Sequence, residues 1–155
     1  MPRWALVLTF VILAVGLTAG YLGLRPRMSD RDLIYHMLAD MEQRANQGDY
    51  FSLMRYVDDD YRDGSGYSKD DLKRLALQAG RSGEQVQVHV EVKGLVLVKN
   101  TATLRVELDV IRSEGEGRPR ENYTITARLH KRGRRWLVAR ADGWQEAAFG
   151  EEGGE

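Results

Sequence analysis

Residues Val86–Val98 read VQVHVEVKGLVLV, and this stretch decides the fold. Val86, Val88, Val90 and Val92 alternate with Gln87, His89 and Glu91. A period of two puts the valines on one face of a strand and the polar side chains on the other. Gly94 interrupts the alternation and predicts a bulge or bend, after which Leu95 to Val98 resume it. The same period returns downstream. Beyond a turn at Asn100, Ala102, Leu104, Val106, Leu108 and Val110 alternate with Thr103, Arg105, Glu107 and Asp109. Tyr123, Ile125, Ala127 and Leu129 form a third strand after a Gly-, Glu- and Arg-rich loop over 113–120. A tight basic turn over 131–134 leads to a fourth strand. There Trp136, Val138 and Arg140 take the inward positions, and the strand ends at Asp142-Gly143-Trp144.

Upstream the period is helical. Ser29 with Asp32 three residues on is a helix start, and Leu33, Ile34, Met37, Leu38, Met41 and Ala45 form one apolar stripe. Gly48-Asp49 ends it. Tyr50, Leu53, Met54 and Val57 mark a second, short helical piece, followed by a polar, glycine-punctuated loop over 58–66. Ser68 and Asp71 repeat the capping logic, and Leu72, Leu75, Ala76 and Ala79 give a third helix closed by Gly80. Helices followed by a meander of strands define an α+β domain. The expectation is three helices packed on a curved antiparallel sheet of about four long strands, bent at Gly94 around the first helix.

Residues 5–24 read ALVLTFVILAVGLTAGYLGL, without a charge. As a helix this run reaches ~30 Å, the thickness of a bilayer's hydrocarbon core. Arg3 precedes it, Arg25 and Arg27 follow it, and Trp4 and Tyr21 lie near its ends, where amphipathic rings favour the headgroup level. Residues 1–27 are therefore read as a signal anchor or transmembrane helix, 28–149 as one domain and 150–155 as a disordered tail. A cleaved signal peptide is the alternative, with Thr18-Ala19-Gly20 supplying small residues near the cut. Counting Arg3 and the amine against Arg25, Arg27 and Arg31 does not favour an N-inside topology. A short N-terminal tail is nevertheless easily left behind while a domain is carried across. The expected location is a bacterial inner membrane with the domain in the periplasm, or, after cleavage, a secreted domain. With no cysteine, the chain has neither disulfides nor a site for lipoprotein attachment.

The chain balances 23 basic against 23 acidic residues; from Met28 onward 20 basic and 23 acidic remain, a net charge of −3. This mixed, weakly acidic domain excludes a nucleic-acid binder on electrostatic grounds.

Three phrases carry a family likeness: Gln47-Gly48-Asp49-Tyr50 after the first helix, Asp60-Tyr61-Arg62-Asp63 before the third, and Trp136-Leu137-Val138 in the last strand. In this order, over about residues 30–144, the chain resembles the nuclear transport factor 2-like superfamily of cystatin-like, cone-shaped α+β folds. The resemblance implies a pocket between the helices and the concave sheet face. That superfamily holds isomerases, cyclases, epoxide hydrolases and dehydratases. It also holds non-catalytic members, among them membrane-anchored assembly factors of bacterial secretion systems, so fold alone does not settle function. In ketosteroid-isomerase-like members a general-base Asp follows the second helix, which the resemblance puts at Asp63. Their oxyanion-donor Tyr falls on Met41, which has no donor, and Asp109 falls on the wet side of its strand. One carboxylate without aimed donors is not a catalytic constellation.

The expected ligand-pocket residues are Tyr56, Tyr61, Asp63, Trp136, Arg140 and Trp144, with Tyr67 at the mouth; the competing reading is that these rings close the core. His36 stands between Asp32 and Asp40 on a solvated helix face, His89 points outward, and His130 follows Leu129. None has metal-ligand spacing. Asp59-x-Tyr61-x-Asp63-Gly64, with Ser65, Tyr67 and Asp70, grazes the calcium-loop pattern but has Tyr at the third position and Asp at the twelfth. No cofactor or metal is expected. The functional expectation is a membrane-anchored, extracytoplasmic, non-catalytic domain for protein interaction, assembly or ligand binding. The alternative is a small-molecule enzyme of isomerase, cyclase or hydrolase type, or a carrier, using the pocket with Asp63 and Arg140. Partners are the membrane through residues 5–24, an unknown protein, and a second copy. The second copy would pair through the outer sheet face of Glu91, Thr101, Thr103, Arg105, Glu107, Asp109, Thr124, Thr126 and Arg128. The basic turn over 131–135 meets anionic lipid headgroups if it faces the membrane.

Overall fold

Helix α1 (Asp30–Asn46) opens the part of the chain that the computed structural model describes, residues 27–83, 86–112 and 120–144. Segment 5–24, the loop over 113–119 and the tail 150–155 lie outside the described residues. Ser29 Oγ accepts from the Asp32 amide, and the Asp32 carboxylate accepts from the Ser29 amide, so two donors at the helix start satisfy each other's partners. At the other end the Asp49 amide donates to the Arg44 carbonyl and the Gly48 amide to that of Ala45, each at 3.0 Å. Gly48 sits at φ +73°, where a Cβ would be costly.

The second helical piece is a six-residue 3₁₀ helix, Phe51–Tyr56, rather than an α-helix. Helix α2 (Lys69–Ser82) starts on the Ser68–Asp71 capping box but does not close at Gly80. It runs on to Ser82 and stops at Gly83, which takes the left-handed conformation at φ +70°. Gly80 costs the helix only propensity; Gly83 is where the backbone has to turn. The expectation of three helices laid on the sheet is also corrected. Helix α1 packs against the sheet, whereas α2 packs on the 3₁₀ helix.

The strands are β1 (Val86–Val98), β2 (Thr101–Arg112), β3 (Arg120–Arg132) and β4 (Arg135–Asp142), antiparallel in the order β1-β2-β3-β4. The predicted irregularity beside Gly94 is present: Val92 pairs with Val106 and Gly94 with Arg105, leaving Lys93 as the extra residue. The inner face supplies Leu104 and Leu129, which with Ile34 of α1 are the largest fully buried side chains. Burying such a side chain contributes roughly 1.5–3 kcal/mol, so this α1–sheet contact is the main cohesive layer. Outward positions of β2 and β3 are polar as expected. Val96 and Val98 of β1 also point outward, 63% and 60% exposed.

A second irregularity overturns one sequence expectation. Arg128 pairs with Arg140 but Leu129 pairs with Val138, so Ala139 is bulged out of register. The bulge reverses the alternation. Arg140 turns outward, is exposed, and pairs with Asp142 at 2.6 Å instead of entering the core.

The start of α1 and the turns at 99–100 and 133–134 lie at one end of the sheet. There Lys131 Nζ reaches Asp30 at 2.6 Å. Asn46, at the far end of α1, exchanges hydrogen bonds with the Val88 backbone at 2.9 and 2.6 Å. Among the described residues no helix is long and apolar enough to cross a membrane.

Candidate functional site

The loop between the 3₁₀ helix and α2 extends the sheet edge before it reaches the candidate acid. Val57 forms a parallel bridge with Val138; the Asp58 amide donates to the Val138 carbonyl at 2.9 Å and the Arg62 amide to that of Ala139 at 3.3 Å. The bulge at Ala139 thus presents a carbonyl to the loop, and the chain turns inward at Asp63.

Asp63 is only 6% exposed. Its Oδ1 accepts from the Ser65 amide at 3.0 Å and the Tyr67 amide at 2.9 Å. Its Oδ2 accepts from Trp144 Nε1 at 3.0 Å, with the Tyr61 hydroxyl 3.4 Å away. The same hydroxyl lies 3.3 Å from the Ala141 carbonyl, so one proton is shared between two acceptors. Burial, and then the Asp63 charge, push the Tyr61 phenol well above its ordinary value, so it stays a donor. The Tyr67 and Trp144 rings meet edge to face with centroids 5.2 Å apart. Gly143 at φ +97° brings the backbone against Thr124, where a Cβ would stand 2.3 Å from the carbonyl oxygen.

The structure therefore gathers Asp63, Tyr61 and Trp144 of the six expected pocket residues, together with Tyr67, expected at the mouth. The other three lie elsewhere. Tyr56 donates its hydroxyl to Asp40 of α1, which also takes Arg44 at 2.8 Å. Trp136 is buried and donates from Nε1 to Asp30 at 3.2 Å. Arg140 stays on the outer side, beside Gly64, where Asp142 accepts from the Gly64 amide at 2.9 Å. Asp63 and Tyr61 are buried side by side here.

Asp58 was missed by the sequence reading. It is 3% exposed, accepts from the Asp60 amide at 3.1 Å and pairs with Arg132 at 3.1 Å. Burial pushes its carboxyl up, but Arg132 and the Asp60 amide outweigh that and leave it below its ordinary value. Nothing in the run Asp58-Asp59-Asp60 distinguishes the buried acid from its exposed neighbours; the signal lies in Arg132, 74 residues away. Asp59 instead meets Lys69 at 2.7 Å, so the acids of the calcium-like pattern point apart. Among the described residues no three acids or histidines gather as a metal site. An open groove of about 410 Å³ beside this loop is lined by Asp59, Asp60, Arg62, Lys69, Asp70 and Lys73, charges of both signs.

No protein-family model matches the chain, and no curated protein matches it. Solved structures do. A putative scytalone dehydratase from Novosphingobium aromaticivorans aligns with TM-score 0.60 at 16% identity, over 70% of this chain and 78% of that one. A nuclear transport factor 2-like protein with a cystatin-like fold from the same organism aligns with TM-score 0.59 at 18% identity, over 82% and 86%. A nuclear transport factor 2-like protein from Cytophaga hutchinsonii aligns with TM-score 0.57 at 15% identity, over 74% and 96%. At these identities the likeness shows the fold: α+β, nuclear transport factor 2-like, cystatin-like. This fold carries both enzymes and non-catalytic domains.

Proposed function

We propose that this chain is a non-catalytic binding or assembly domain, held at a membrane by residues 5–24 and working from the extracytoplasmic side. The observation that carries the reading is the state of Asp63. Its carboxylate is buried and filled by this chain's own donors, two amides, an indole and a phenol. A general base needs an acceptor within reach of a substrate proton and space for that substrate. Asp63 is 6% exposed and its oxygens are taken by the chain's own donors, which suits a residue that ties a loop down. Arg140, the other polar group of the enzyme reading, faces outward and is engaged by Asp142.

A surface open to a partner is the outer sheet face. Thr101, Thr103, Thr124 and Thr126 are exposed there, and Val96 and Val98 add apolar area at its β1 edge. Threonine and valine on a flat sheet bury well against a like surface, whereas Lys93 bridged to Glu91 and Glu107 keeps the adjoining part polar. A second copy of the chain fits this face.

Light scattering on the full chain in detergent tests this. The wild type should be a dimer; Val96→Glu with Thr103→Arg should give monomers that still unfold cooperatively, at a melting temperature independent of protein concentration. A monomeric wild type overturns the self-association. Fragment screening by NMR tests the rest: resonance shifts centred on Asp63 and Arg140 would overturn the non-catalytic reading.

A further inference from the structure

The basic turn singled out in the sequence acquires neighbours in three dimensions. The Lys131 amide donates to the Asn100 carbonyl at 2.8 Å, which joins the two hairpin turns. Lys131 Nζ and Trp136 Nε1 both bind Asp30, which pins the β3–β4 hairpin to the start of α1. An open groove of about 720 Å³ between them is lined by Arg27, Met28, Leu33, Lys131, Gly133 and Arg134. Three segments far apart in sequence thus bring cations to one end of the domain: Arg27, Lys99, Lys131, Arg132, Arg134 and Arg135. The acids near them are engaged, Asp30 by Lys131, Asp32 by Ser29, and Asp58 and Asp60 by Arg132. Among the described residues Lys99 and Arg134 make no ion pair. At the opposite end, among the described residues, Arg120 pairs with Asp109 at 2.6 Å and Arg112 with Glu121 at 3.6 Å.

The apolar run 5–24 ends three residues before Arg27, so whatever holds that run also holds this end of the domain close to it. We propose that the end bearing Lys99, Lys131 and Arg134 docks on anionic phospholipid headgroups and orients the domain on the bilayer; this rests on the reading of residues 5–24 as a membrane anchor. Charge complementarity selects the orientation. Residues 28–149 carry 20 basic and 20 acidic residues, so the domain as a whole is neutral and attraction to an anionic surface arises with the basic end leading. Electrostatics at this range needs contact distance, because screening at physiological salt acts within about 8 Å. Continuity with the apolar run supplies that distance and favours lipid over a soluble polyanion.

The chain has no cysteine, so Asn100→Cys gives a unique site for a fluorophore at the turn. The full chain is placed in vesicles of phosphatidylcholine alone, or of phosphatidylcholine with one-third phosphatidylglycerol, each carrying a headgroup acceptor dye. Energy transfer should be higher in the anionic vesicles. It should fall to the zwitterionic level in about 1 M salt, where the screening length is roughly 3 Å. Lys99→Glu and Arg134→Glu should each lower the docked-to-undocked ratio about fivefold or more. Arg81→Glu, on the last turn of α2, should leave it unchanged. Equal transfer in the two lipids, or transfer indifferent to both reversals, overturns the proposal. Alkaline carbonate extraction reads the anchor separately. If carbonate strips the chain, the anchor reading fails and flotation decides the surface. Flotation with anionic vesicles that both reversals abolish upholds the docking, and absence of flotation overturns it.

Discussion

The Trp144 indole donates to the Asp63 carboxylate at 3.0 Å, closing a contact between residues 81 positions apart. It locks the segment after β4 over the loop before α2. Replacing Asp63 with Ala leaves several donors without their acceptor. Hydrogen bonds to a charged group contribute about 1.5–3 kcal/mol, so the loss in urea unfolding should be about 3 kcal/mol. Trp144→Phe, which removes one donor of the set, should cost about 1 kcal/mol. An Asp63→Ala protein as stable as the wild type would remove the structural role.

Two glycines should answer oppositely to alanine. Gly143 has φ +97° and a Cβ there meets the Thr124 carbonyl oxygen at 2.3 Å, so Gly143→Ala should lose about 2 kcal/mol or more. Gly80 lies inside α2 with nothing within 4 Å of its Cβ position, and Gly80→Ala should gain about 0.5–1 kcal/mol. Urea midpoints at constant slope measure both. A shift of the same sign at the two positions would contradict the backbone assignment.

Arg140 and Asp142 are not equal partners. Asp142 also holds the Gly64 amide at 2.9 Å, whereas Arg140 contributes an exposed pair. Arg140→Ala should change stability by less than about 1 kcal/mol. Asp142→Ala should cost more, since it releases the loop at Gly64 as well. Thermal melts of the two variants side by side give the order.

Acid stability should depend on the helix starts. Hydrogen bonds from the Ser68 hydroxyl and amide, and then Arg74, hold the Asp71 carboxyl at about 2, below its ordinary 3.8. Ser29 lowers Asp32 in the same way. A carboxyl depressed in the folded state contributes its stability fully above the unfolded value and loses it as pH falls through the folded one. The melting temperature should therefore drop between pH 4 and pH 2, the interval bounded by those two values for Asp71. In Ser68→Ala that drop should be shallower. An unchanged slope would show that the capping box does not set it.

Much of this could be read from the chain. The alternation around Val86–Val98, the interruption beside Gly94 and both capping boxes appear where the residue pattern puts them. The candidate site was legible only in part. Asp63, Tyr61 and Trp144 do meet, but Tyr56 and Trp136 serve Asp40 and Asp30 instead. Aromatic residues carry no local mark of which acid they will reach.

Sequence by itself determined which segments are helix and which are strand, and where α1 and α2 start, because side-chain periodicity and capping act over a few residues. Tertiary structure alone decided the burial of Asp58, the outward turn of Arg140 and the meeting of the basic turns with the start of α1. Each depends on pairing between segments far apart in the chain: Arg132 reaching Asp58, the Ala139 bulge against Arg128 and Leu129, and Lys131 finding Asp30. A one-residue slip in strand register changes the face of every side chain beyond it, and no local pattern records that slip.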